Sequence, residues 1–355
     1  MAQTIDFNRF TVSNGAITDL NQLLFTSAFK DPALEKVVDL SLDIENGKKI
    51  GYIDSMNDVG TVAAGCDPTY KKATINGFEK TWELGEWEIP LSFCYKDLSA
   101  TLAKYGMKTG TERGDLQDTP YWDKVLIPLL NKAIAEMMWR LVWFGDKDAK
   151  LTSSSGNIKA GVDVNLFKVC DGLWKRINAI IAANPKQKTE IKANAAESYA
   201  DQKSQLRQAG VAYKIVDDLL TDADGRIFDN EHAIFMTNSL FKALRSDIYE
   251  RSKYQLTSEK IMEGIMLSEY DGHAVVVLDI WDRMINKYED NGTKLNLPHR
   301  ALVAPLSNLM VGTSDSKMFS QFDVTFNHES RKNSIYAAGD IGTAIGEDDL
   351  IQVAL

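Results

Sequence analysis

Four histidines are the first residues to test for chemistry, and each stands alone in the sequence. His232, His273, His299 and His328 have no second histidine, cysteine or acid at ligand spacing. Satisfied or solvent-facing imidazoles are therefore expected. The acidic stretch Leu220 to Glu231 comes closest to a cation site, with Asp222, Asp224, Gly225 and Glu231 at the third, fifth, sixth and twelfth positions of a calcium loop. Its first ligand position is Leu220, which offers no oxygen, so a polar turn ending a helix is the better reading. Asp217-Asp218 and Asp348-Asp349 are adjacent acids that point apart on a helix or strand, as solvated charges do and a general acid–base pair does not. The sequence contains no Walker loop, no dinucleotide fingerprint after a strand and no nucleophile elbow. No catalytic residue, cofactor or metal site is assigned.

The bulk properties agree with a non-catalytic reading. At 355 residues and 39.6 kDa the chain can bury roughly three-quarters of its unfolded surface, and its length suggests about two domains. A net charge of -10 and a pI near 5.1 argue against a dedicated nucleic-acid binder, which needs a basic face, and leave room for a local basic patch. Cys66, Cys94 and Cys170 are odd in number and widely spaced, as expected of buried thiols in a reducing compartment. The first thirty residues lack a basic segment followed by an apolar one, so a cytoplasmic protein is expected.

The element that must position the rest is Thr119 to Gly145, which reads as one long helix. Thr119 suits the N-cap, Pro120 the first helical position, Asp123 the positive end of the dipole and Gly145 the C′ position. Leu126, Leu130, Ala133, Met137, Leu141 and Phe144 form one apolar row, and Ile127, Ile134, Met138 and Val142 a second beside it. Lys132, Glu136 and Arg140 form a narrow charged line that also interrupts any membrane-spanning run. Ahead of this rod, residues 1 to about 45 read as an arm with a half-buried strand of Val38, Leu40, Leu42 and Ile44. Gly51 to Tyr95 reads as a long hairpin turning at Asn76-Gly77, with Trp87, Ile89, Leu91 and Phe93 returning along its apolar side and Pro90 confining that strand to an edge or a bulge. A two-stranded ribbon is marginal alone in water, so it must dock elsewhere. After the rod, helices are expected around Leu166–Ile180 and Leu206–Leu219, ahead of a strand–helix–strand order from His232 to Leu278 and a strand-rich end.

This order of elements resembles the major capsid protein of tailed phages, the Hong Kong 97-type fold. The residues that carry the resemblance are Ile89 to Leu98, Thr119 to Gly145, Tyr270 to Leu278, and Arg300 to Gly312. It implies an α+β fold with an N-terminal arm (1–50), an extended E-loop hairpin (51–98), a peripheral domain (99–155) with a spine helix at 119–145, an α/β axial domain (156–297) and peripheral return strands (298–355). The implied function is a structural subunit assembling as hexamers and pentamers into an icosahedral shell, in a virion built in the bacterial host cytoplasm. Implied partners are further copies of itself, a separate scaffolding protein, a portal, and packaged DNA contacted weakly and non-specifically; no membrane is implied. Lys71, Lys72, Asn76, Gly77, Trp82 and Trp87 are the expected inter-subunit contacts of the hairpin, and Leu130, Met137 and Leu141 the packing residues of the spine. Some relatives join an E-loop lysine to a peripheral asparagine. The candidates here are Lys71, Lys72 and Lys80 with Asn308, Asn327 and Asn333, and a shell without such cross-links is expected. An encapsulin-like compartment and an unrelated cytoplasmic α+β enzyme are the alternatives.

Overall fold

The computed structural model describes residues 34, 37–56, 75–94, 127–262, 264–314, 321–327 and 332–355. Its strands and helices run in the order β1 (Asp39–Ser41), β2 (Lys49–Met56), β3 (Ile75–Thr81), β4 (Gly85–Cys94), α1 (Ile127–Phe144), α2 (Leu173–Ala183) and β5 (Lys188–Thr189). After a single helical turn come α3 (Tyr199–Leu206), α4 (Val211–Thr221), β6 (His232–Met236), α5 (Asn238–Ser252), β7 (Ser258–Met262), β8 (Ile265–Tyr270), β9 (His273–Leu278) and α6 (Asp279–Tyr288). The chain closes with β10 (Ala301–Pro305), β11 (Leu309–Gly312), β12 (Gln321–Asn327), β13 (Lys332–Ile345) and β14 (Gln352–Ala354).

A mixed seven-stranded sheet, ordered β5-β14-β10-β6-β9-β8-β7, forms one layer. Its inner strands are almost wholly apolar because both faces are covered. Along β6, Ala233 and Phe235 face one core while Ile234 and Met236 face the other; Leu302 and Ala304 alternate with Ala301 and Val303 along β10 in the same way. Helices α4 and α5 cover one face through Ile215, Val216, Leu219, Leu240, Phe241 and Leu244. Helices α1, α2 and α6 cover the other, and their core continues into the second sheet through Ile335, Ala337, Ile341 and Ile345.

That second sheet has five strands in the order β1-β11-β13-β12, with β4 also pairing along β13. The ten-residue β4 runs antiparallel to β13 from Cys94 opposite Lys332 to Gly85 opposite Ile341. Among the described residues β4 has no second strand partner, which suits Pro90: an edge strand tolerates its missing N–H.

Helix α1 meets the other elements at its C-terminal half. Ile134, Met138, Trp139, Leu141, Val142 and Trp143 are all buried. The deep face is thus the Ile134–Met138–Val142 row with Leu141, whereas Leu130 and Met137 are half-buried and Ala133 is exposed. The expected packing role of Leu141 fits this face; Leu130 and Met137 lie on its flank because the sheets contact the neighbouring row. The charged line is also less solvated than its spacing suggests. Glu136 pairs with Lys287 at 3.5 Å, and Arg140 bonds the Leu166 carbonyl at 3.1 Å while stacking over Phe167 and Tyr288. Thr119 to Leu126, including the proposed caps, lies outside the described residues. Gly145 has an ordinary negative φ, so close packing and not a left-handed cap explains it: a Cβ there would stand 2.5 Å from the Cys170 carbonyl oxygen.

Candidate functional site

The hairpin region needed the largest correction. Strands β2 and β3 do pair antiparallel, from Lys49 opposite Thr81 to Met56 opposite Ile75. Asn76 and Gly77, however, lie inside β3, next to a register shift between Ile53 and Ser55, and so make no turn. The extra residue at the shift is Asp54 of β2, so Asn76 and Gly77 face a bulge on the opposite strand. Lys71 and Lys72 fall outside the described residues. The strand carrying Trp87 is not the returning arm of the ribbon, since β4 leaves it and pairs with β13. Its predicted alternation holds, with Trp87 buried between exposed Glu86 and Glu88.

Trp82 and Trp87 are buried within the chain, at 3% and 4% exposure, and so are corrected from inter-subunit contacts to internal anchors. Trp82 packs with Ile44, Met310 and Ala344 at the foot of the ribbon. Gly312 makes room for it: a Cβ there would lie 2.8 Å from the Trp82 ring and 3.0 Å from Ile44. Backbone bonds clamp the same foot, with the Trp82 N–H donating to Lys48 and its carbonyl accepting from Gly47, both at 2.9 Å. Lys80 Nζ donates to the Ile345 carbonyl at 2.7 Å and to Asp348 at 2.5 Å, tying the ribbon to the end of β13. Among the candidate cross-linking asparagines, Asn308 is fully occupied: its amide donates to the Glu347 and Leu350 carbonyls and accepts from the Glu347 N–H. It is a structural staple.

An aromatic cluster joins α1, α2, α6 and β6. Trp143 meets Trp281 at 4.7 Å, Trp174 at 5.9 Å and Phe235 at 6.4 Å between ring centroids. Arg300 is buried beside it, over Phe144 and Trp174, with its guanidinium bonded to Glu289 and to the Leu297 and Asn296 carbonyls. Full pairing is what makes that buried charge tolerable. Cys170 is also fully buried; loss of solvent pushes its thiol up to about 12, so it is an inert packing group. Cys94 lies in β4, and Cys66 and His328 lie outside the described residues.

The fold brings together titratable groups that the sequence kept apart. His232 Nε2 and His273 Nδ1 are 2.8 Å apart, correcting the expectation that each histidine is isolated. Each begins a strand, and β6 pairs with β9, so residues 41 apart become neighbours; no local spacing signals this. Ser239 Oγ lies 2.9 Å from His299 Nδ1, and Asp282 sits beside Ser239. This is not a nucleophilic triad, because Asp282 accepts the Asn238 and Ser239 backbone N–H groups at 2.7 and 3.1 Å and does not orient the imidazole. It caps α5. Burial raises its carboxyl to about 6, against the opposing backbone bonds, and burial lowers His299 to about 4, with the Gln202 backbone offsetting part of that. In the acidic stretch, Leu220 belongs to α4, Asp222 caps its end, and Asp224 caps a short turn by accepting the Arg226 N–H at 2.9 Å. Among the described residues no group of three or more metal-ligating side chains converges, and no helix is long and apolar enough to cross a membrane.

No family model matches the chain, and no curated protein matches it. Among solved structures the chain is similar to chains from several phages, in a mixed helix-and-sheet fold. The chain shares the fold of a chain from Gordonia phage Cozz with a TM-score of 0.51 and 9% identity, over 90% of this chain and 85% of that one. It is also similar to a chain of the satellite phage P4 procapsid including size determination (Sid) protein, at TM-score 0.47 and 11% identity over 91% and 96% of the two chains. A chain from Mycobacterium phage Ogopogo gives 0.48 and 11% over 90% of each.

Proposed function

We propose that this chain is the major structural subunit of an icosahedral shell, of the Hong Kong 97 type, that encloses the genome of a tailed phage or prophage. The observation that carries the reading is the fold shared with the Gordonia phage Cozz chain across nine-tenths of this one. The ribbon β2–β3 supports it: among the described residues neither of its strands pairs with a strand of the two larger sheets, and such a ribbon gains stability from an outside surface. In this reading residues 1–50 are the arm, 51–98 the E-loop, 99–155 and 298–355 the peripheral domain and 156–297 the axial domain. The subunit has no catalytic role and works in the virion, after assembly in the host cytoplasm with a separate scaffolding protein and a portal. Its contact with packaged DNA is weak and non-specific.

Particle mass tests the proposal. Light scattering and negative-stain microscopy of the purified chain, with and without co-expressed scaffold, should show ring-shaped capsomers or closed shells. Monomers or dimers under all conditions, with a measurable turnover, would overturn it. Shells filled with cargo protein and devoid of DNA would point instead to an encapsulin-like compartment.

A further inference from the structure

The last turn of α3 and the outer face of α5 border two adjoining hollows, of about 440 and 710 Å³, which share Arg207 and Lys242. Lys203 lines the first and Arg245 the second. All four cations are exposed, and among the described residues none of their side chains makes an ion pair or a hydrogen bond. Two other cations each lie near several acids: Lys175 is within 3.2 Å of Asp146, Asp148 and Asp171, and Arg226 within 3.9 Å of Asp224, Glu347 and Asp349. The acids lining the hollows are engaged otherwise. Asp247 accepts the Tyr213 N–H at 3.1 Å, Asp282 caps α5, and Asp279 accepts the Asn238 amide at 2.8 Å.

Lys203 and Arg207 are four residues apart and Lys242 and Arg245 three apart, so each pair stands on one helical face, with Cβ atoms about 5–6 Å apart. A half-exposed tyrosine lines each hollow, Tyr199 at 40% and Tyr249 at 52%. We propose that this groove binds the phosphate backbone of nucleic acid, with Lys203, Arg207, Lys242 and Arg245 as its phosphate contacts. Arginine's planar fork matches phosphate geometry, and an exposed ring beside cations suits sugars and bases, which an acidic polypeptide does not offer. The shell reading adds that the nucleic acid is packaged duplex DNA, and it turns this face of the seven-stranded sheet toward the contents.

The test uses free subunits of the full chain and a fluorescein-labelled 30-base-pair duplex in an anisotropy titration, so it does not depend on assembly. Four phosphate contacts predict a log–log salt slope of roughly -3 to -4, a loss on the order of a hundredfold between 50 and 200 mM salt. Arg207→Glu/Arg245→Glu should weaken binding at least tenfold and flatten the slope by about 2, with Arg207→Gln/Arg245→Gln as the milder variant if charge reversal disturbs folding. Lys186→Glu/Lys188→Glu, with the same change in net charge at two exposed lysines outside both hollows, should bind nearly as the parent does. Equal losses in the two double variants, or no binding by the parent at 50 mM salt, would overturn the proposal. So would tighter binding of polyglutamate than of the duplex at the same groove, which would assign it to an acidic polypeptide. Shells that assemble while their subunits bind no DNA would sink this inference and leave the shell reading standing.

Discussion

In the seven-stranded sheet, β14, β10, β6 and β9 each have a strand on both edges and side chains packed on both faces, whereas the ribbon β2–β3 has one partner per strand and is fastened to the molecule at its foot. The first region finds its burial inside its own chain. The second is tied to the rest of the chain by Trp82, Lys80 and Gly312. Strand β4 lies between these extremes, paired along one edge and plugged into the main core by Trp87. The difference teaches where a stability measurement on the free subunit will be informative and where it will be silent.

The sharpest break should come from the aromatic cluster. Trp143→Ala removes a fully buried ring shared by α1, α2, α6 and β6 and should cost ~3–5 kcal/mol in denaturant melts at constant slope. On the same helix, Met138→Ala should cost ~2–5 kcal/mol, Met137→Ala clearly less, and Lys132→Ala no more than about 0.5 kcal/mol. An equal cost for the two methionines would contradict the assigned face.

Titration should separate two groups that offset each other. Asp282 is raised from 3.8 to about 6, so its contribution is present below pH 4 and is lost as pH rises through 6. His299 is lowered from 6.5 to about 4, so its contribution is present above pH 6.5 and is lost as pH falls through 4. Each change amounts to about 3 kcal/mol, with opposite sign over nearly the same window. Relative to the parent, Asp282→Asn should gain stability as pH rises from 4 to 6, and His299→Gln should lose it. Parallel profiles for all three proteins would show that neither group titrates as assigned.

Gly312→Ala probes the foot of the ribbon. Crowding Trp82 and Ile44 should cost about 1–3 kcal/mol locally, seen as faster hydrogen exchange in Lys49–Met56 and Ile75–Thr81 with little change in β6 or β10.

Much of the first region was legible in the sequence because its signals are local. The apolar run His232–Met236, the helix after it and the strand ending at Leu278 fall where periodicity puts them, although the N-caps of α5 and α6 are Thr237 and Leu278 and make no side-chain cap bond. The helix read through Leu206–Leu219 is in fact two, broken at Gly210 with φ 79°, a position whose backbone suits glycine. Strand β13 spans 14 residues although the small residues after Tyr336 carry no alternating hydrophobic signal, because β4, β11 and β12 supply the pairing. Leu42, read as half-buried, is 41% exposed because the chain leaves β1 through Asp43 at φ 56°. The His232–His273 contact and the basic groove depend on pairings distant in sequence, which composition and spacing do not report.

Hydrogen exchange compared between free subunits and assembled particles tests the central claim most directly. The shell reading predicts that amides of β6, β9 and β10 are protected alike in both states, while those of β2 and β3 exchange rapidly in the free subunit and become protected on assembly. Protection of the ribbon that is already complete in a stable monomer, and unchanged at every concentration, would contradict a subunit built to be finished by its neighbours.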